Sequence, residues 1–178
     1  MNTIGTSGKN NWTPWTPTCT LLQKRSKILM ITPAPHHSTT LVLRRTFEAS
    51  RARVFRAWIT PRALERWLRP RGMNMTVRAL DARVGGSFRF DLEDGSAIIG
   101  TYRQIVPPEK LVFTWFGGAA QSWENVVTLD FLDRGAVTEV VLTHEGLSSP
   151  ERRARAEGGW PSLLDALALV LSSPHLDW

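Results

Sequence analysis

With 178 residues the chain is long enough for one domain to bury a core without disulfides or structural metal, and its one cysteine, Cys19, excludes an intramolecular disulfide framework. The net charge of +6 is misleading, because Lys9, Lys24, Arg25 and Lys27 stand in an acid-free stretch over residues 1–40; the remainder holds 18 basic and 16 acidic residues. Its arginines are scattered apart from one knot at Arg66, Arg69 and Arg71, which excludes the broad basic face with stacking groups that nucleic-acid binding requires.

No apolar run reaches the roughly 18 residues that span a bilayer, and the N-terminus lacks the basic start and apolar stretch of a signal peptide. A cytoplasmic domain without a membrane span is the expectation.

Residues 1–38 are rich in Thr, Ser, Asn and Pro, place Trp12 and Trp15 in a TPWTP context, and hold no sustained period. Three readings stand for them: a disordered extension, a start codon assigned too early with Met30 as the true first residue, or an organelle-targeting segment.

The pattern changes at Thr39, where TTLVLRRTF alternates as a strand does, and a helix capped by Ser50 follows with Val54, Phe55, Trp58 and Ile59 on one side. Thr60-Pro61 ends that helix and starts another carrying Leu64, Trp67 and Leu68. Period-two segments come next: Met73, Met75 and Val77; Phe88, Phe90 and Leu92; Ile98, Gly100 and Tyr102; Leu111, Phe113 and Trp115; Val127, Leu129 and Phe131; Val140, Leu142 and His144. Gly85-Gly86, Asp94-Gly95, Pro107-Pro108 and Gly117-Gly118 supply turns between them. A last helix is predicted from around Gly159, with Trp160, Leu163, Leu164, Leu167, Ala168 and Leu171 on one side and Pro174 as its stop.

These elements predict an α+β domain over residues 39–174, in which a curved antiparallel sheet of about seven strands wraps around one long C-terminal helix and two short helices follow the first strand. The space between helix and sheet is where such a layout leaves a cavity.

In chain order, FEASRARVFRAWITPRALERWLRP, DARVGGSFRF, DGSAIIGTYRQIVPPEKLVFTW, VTLDF, LTHEGL and GGWPSLLDAL resemble the motifs of the family named after the activator of heat-shock-protein-90 ATPase, over about residues 40–172. The resemblance implies the START-like (SRPBCC) helix-grip fold with a deep pocket for an apolar or amphipathic ligand. One departure is Ala156, where the family often has a histidine; any pocket role of that imidazole is absent here.

Metal binding requires convergent His, Cys or carboxylate groups, but His36 and His37 lie in the N-terminal segment and His175 after the last helix, so no metal or cofactor is expected. His144 lies on an apolar strand face, as a satisfied core histidine or as a donor to a ligand oxygen. No GxSxG elbow occurs, the Gly85-Gly86 pair lacks a phosphate loop's lysine, and Asp91, Glu93 and Asp94 read as solvated turn residues around a hairpin.

Candidate ligand contacts are therefore Trp67, Phe88, Phe90, Tyr102, Phe113, Trp115, His144, Trp160, Leu163 and Leu167, with Tyr102 and His144 as polar orienting groups. The leading reading is a stand-alone domain binding a small apolar ligand without catalysis. Against it stand co-chaperone stimulation of the heat-shock-protein-90 ATPase in a stress response, implied by the resemblance, and a cyclase- or hydrolase-like enzyme built on His144 and Tyr102. Named activators carry an additional N-terminal domain that residues 1–38 are too short to supply. Pairing of two domains through exposed sheet edges is left open.

Overall fold

In the computed structural model the described residues are 39–117 and 125–173, all within the unit Pro35–Trp178. The expectations for residues 1–38, for Gly118 and for Pro174 as a helix stop lie outside the described residues.

The order of elements is strand, two short helices, a run of strands and a long helix, as the pattern predicts. Strand β1 spans Thr39–Phe47, α1 Arg51–Ala57 and α2 Pro61–Trp67, followed by a 3-10 turn at Pro70–Gly72. Strands β2 (Met75–Leu80), β3 (Ser87–Leu92), β4 (Ala97–Val106) and β5 (Lys110–Thr114) form a meander that continues, after the short β6 (Phe116–Gly117), into β7 (Val126–Asp133) and β8 (Thr138–Leu147). Helix α3 spans Pro150–Ser172. The antiparallel sheet runs β1-β8-β7-β5-β4-β3-β2, with β6 pairing β4 off that path. Its first strand therefore closes onto its last, and the helix-grip architecture implied by the motifs is the one observed.

Period-two alternation becomes a core face because successive strand side chains point to opposite sides. Phe88 and Phe90, Ile98 and Tyr102, Leu111 and Phe113, Val127, Leu129 and Phe131, and Val140, Leu142 and His144 are all buried. Helix α3 covers them with Trp160, Leu163, Leu164, Leu167 and Leu171, and it also contacts β1, β8, α1 and α2. Two hydrogen bonds fasten the ends: the buried Thr138 hydroxyl donates to the Ala49 carbonyl at 2.7 Å, and Arg53 donates to the Ser173 carbonyl at 2.7 Å.

Four local expectations are corrected. Helix α3 begins at Pro150 rather than around Gly159, because Ser149 accepts from the Arg152 amide, Pro150 fits the first turn, and Arg153 pairs with Glu157 one turn on. That first half has no apolar stripe, which is why periodicity overlooks it. Ser50 and Thr60 occupy the N-cap positions of α1 and α2, but neither side chain makes a capping bond. Met73 precedes β2 instead of belonging to it. Trp115 stands at a break between β5 and β6, where the Thr114 hydroxyl accepts from the Thr101 amide at 2.9 Å in place of a regular backbone rung.

Candidate functional site

The interior between sheet and helices is an aromatic shell. Phe88 and Phe90, two apart on β3, stack with centroids 4.8 Å apart. Phe88 also meets Tyr102 at 5.4 Å, Phe113 at 5.8 Å and Trp115 at 6.2 Å. From Trp115 the contacts pass to Trp160 on α3 at 5.3 Å, from Trp160 to Trp58 at 6.2 Å, and from Trp58 to Trp67 at 4.5 Å. Such ring pairs contribute about 0.5–1.5 kcal/mol each beyond simple area burial.

Within this shell lies a cavity of about 10 Å³, lined by Trp58, Leu64, Leu68, Phe88, Phe90, Tyr102, Phe113 and Trp115. A single water needs roughly that much room, so the shell is closed in this conformation. A ligand of several rings enters only if side chains or α3 move. The deep open pocket implied by the resemblance is thus replaced here by a filled aromatic interior.

Of the ten candidate contacts, Phe88, Phe90, Tyr102, Phe113 and Trp115 line this cavity. Trp160, Leu163 and Leu167 on α3 and His144 on β8 are buried outside its wall, and Trp67 lies behind Trp58. Trp67 is wholly buried and donates through Nε1 to the Ala57 carbonyl at 3.0 Å, which secures the corner between α1 and α2. Three lining residues escaped the sequence reading: Trp58, Leu64 and Leu68. Each falls on the apolar side of its helix in the sequence, yet periodicity does not say which buried side chain ends at a wall and which ends behind it.

The polar groups of the interior are few. Buried polar side chains among the described residues are Thr114, Thr138 and His144. His144 Nδ1 accepts from Trp160 Nε1 at 3.0 Å, while His144 Nε2, Trp58 Nε1 and Asn125 Oδ1 are buried without a partner. Burial lowers the His144 pKa from 6.5 to about 4, so the ring is neutral at pH 7. Burial also raises the Tyr102 pKa, so the phenol keeps its proton.

No Asp or Glu is buried among the described residues, so the interior offers His144 no buried carboxylate as an acid–base partner. Asp91 is bound by Arg78 and Arg89, and Asp94 accepts from Ser96 and Arg71 at the β3–β4 turn. The arginine hydrogen bonds on Asp91 and the Ser96 hydrogen bonds on Asp94 hold both carboxyls below their usual range; Asp94 is in the turn as expected, whereas Asp91 belongs to strand β3 rather than to the turn. Among the described residues no group of three or more His, Cys, Asp or Glu side chains could hold a metal ion, and no helix is long and apolar enough to cross a membrane.

Comparison with known proteins agrees with this architecture. The family model described as activator of Hsp90 ATPase homolog 1-like protein matches residues 48–172. The mouse and human proteins named activator of 90 kDa heat shock protein ATPase homolog 1 are each 26% identical over 124 residues, covering 67% of this chain and 33% of theirs. The chain thus spans about a third of the length of the curated relatives it matches. A crystal structure of a Chromobacterium violaceum protein superimposes with a TM-score of 0.67 at 29% identity, over 75% of this chain and 97% of that one. A Plasmodium falciparum HSP90 activator superimposes with a TM-score of 0.62 at 24% identity, over 76% and 97%, and speaks to the fold. With the match extending from α1 to the end of α3, the chain belongs to the activator of Hsp90 ATPase homolog 1-like family.

Proposed function

We propose that this domain binds a small hydrophobic or amphipathic molecule between α3 and the concave face of the sheet. The observation that carries the reading is Trp58, which lines an aromatic cavity and whose buried indole N–H has no partner. Leaving a buried donor unsatisfied costs about 1–3 kcal/mol, a penalty that a core serving stability alone has no reason to retain. The closed shell opens by displacement of the tryptophans that bridge α1, α3 and the strands.

Titration with Nile red, a neutral apolar fluorophore, tests this. Saturable uptake of one molecule per chain, abolished by Phe113→Arg in a variant with native circular dichroism, is the expected result. Partition without saturation, equal in the variant, would remove the reading.

A second reading is favoured by the match to the mouse and human activators: contact with a heat-shock-protein-90 chaperone through the domain surface. Its measure is chaperone ATP turnover over a wide range of added domain. The ligand-binding reading expects no change.

A further inference from the structure

His144 and Trp160 define the chemistry that a ligand must bring. An indole nitrogen only donates, so the 3.0 Å contact from Trp160 Nε1 obliges His144 Nδ1 to present its lone pair. The proton of the neutral ring is therefore on Nε2, which becomes a second donor. That Nε2 is buried, on a residue 4% exposed, and has no partner. Trp58, also 4% exposed, presents the other orphaned donor. Both rings pack against Trp160, with centroids 6.0 Å and 6.2 Å from it, so each unmet donor belongs to a ring beside the same indole; Trp58 lines the cavity and His144 does not.

The third orphaned atom, Asn125 Oδ1, belongs to the same neighbourhood. Val127 pairs with His144 across β7 and β8, which puts residue 125 on the His144 face one diagonal away, and the Asn125 carbonyl accepts from the Trp115 amide at 2.9 Å. Its free acceptor provides for the proton of a hydroxyl. All the buried side-chain atoms without partners among the described residues thus belong to Trp58, Asn125 and His144, and each of these adjoins Trp160 or Trp115.

Charge narrows the class further. No Lys or Arg is buried among the described residues, so a carboxylate or phosphate taken into this interior would have no counter-charge. His144 cannot supply one, because burial disfavours its cation.

On the ligand-binding reading above, we infer that the site takes an uncharged apolar molecule bearing a hydroxyl or carbonyl oxygen, held by the Nε2–H of His144 and the Nε1–H of Trp58. His144 is a binding residue on this view, and Trp160 a positioning residue that sets its tautomer.

Three naphthalenes of matched size test the inference on the full chain by calorimetry: 2-ethylnaphthalene, 2-acetylnaphthalene and 2-naphthoate. The ketone is expected to bind about tenfold more tightly than the hydrocarbon, the worth of one buried hydrogen bond, and the carboxylate most weakly. His144→Gln, which can accept from Trp160 and donate to the ligand, should keep the ketone preference. His144→Phe should reduce it, with the Trp58 donor alone remaining, while hydrocarbon binding persists. Should His144→Phe fail to fold, nitrogen-15 spectra of the wild-type histidines serve instead: His144 is expected as the Nε2–H tautomer, with Nε2 shifting on addition of ketone and not of hydrocarbon. Equal affinity for hydrocarbon and ketone, tightest binding of naphthoate, or an Nδ1–H tautomer overturns the inference and leaves a ligand pocket standing. Failure of all three compounds to bind overturns both.

Discussion

Phe88 on β3 lies opposite Gly100 on β4, and its ring occupies the space that a Cβ at residue 100 would need. The Thr114 carbonyl closes the same space from the other side. The missing side chain lets the Phe88 ring lie over β4, where it meets Tyr102, Phe113 and Trp115 at once. Gly100 is therefore required by packing, its backbone being ordinary extended strand.

Gly100→Ala should accordingly destabilise the domain by about 1–3 kcal/mol, the usual penalty for inserting a methyl group into a filled core. A urea melt measures it. A midpoint equal to wild type would show that the shell has slack where the structure has none.

Trp58 and Trp67 provide an internal comparison, being packed edge to face at 4.5 Å with one indole N–H bonded and the other not. Trp→Phe removes similar apolar area at both positions, but only at 67 does it break a hydrogen bond and orphan the Ala57 carbonyl. Trp67→Phe should therefore be the more destabilising by about 1–3 kcal/mol. Equal losses would mean that the Trp58 N–H has a partner in solution.

The pH dependence of stability should carry the mark of His144. Its folded pKa, about 4, is below the ordinary 6.5, so the unfolded chain takes up the proton more readily. Stability from this group is full above pH 6.5 and is lost as pH falls towards 4, by an amount on the order of 3 kcal/mol. In His144→Gln the slope between those pH values should be shallower than in wild type. Parallel curves would place the wild-type imidazole in contact with solvent.

Strand periods were legible because one face of each strand is buried, so Phe88, Tyr102, Phe113, Leu142 and His144 stand out in sequence as they do in the core. Two features were not. The first half of α3 is polar all round and is started by Ser149, Pro150 and Glu151, a capping signal that periodicity does not register. The break at Trp115 depends on a side chain, the Thr114 hydroxyl, replacing a backbone rung, and two-residue β6 is too short for a period. The site was half legible for a related reason. Aromatic residues on strands have their direction dictated by the pleat, whereas Trp58, Leu64 and Leu68 face the cavity through the rotation of α1 and α2, which only tertiary packing decides.

The most direct test of ligand binding is native mass spectrometry of the freshly purified full chain, followed by denaturing extraction. A stoichiometric mass increment that disappears on denaturation, and an extract containing an uncharged apolar compound with at least one oxygen, is the expected result. A chain that flies at its sequence mass alone and takes up no neutral aromatic compound when challenged would contradict the account, leaving the aromatic interior as a packed core.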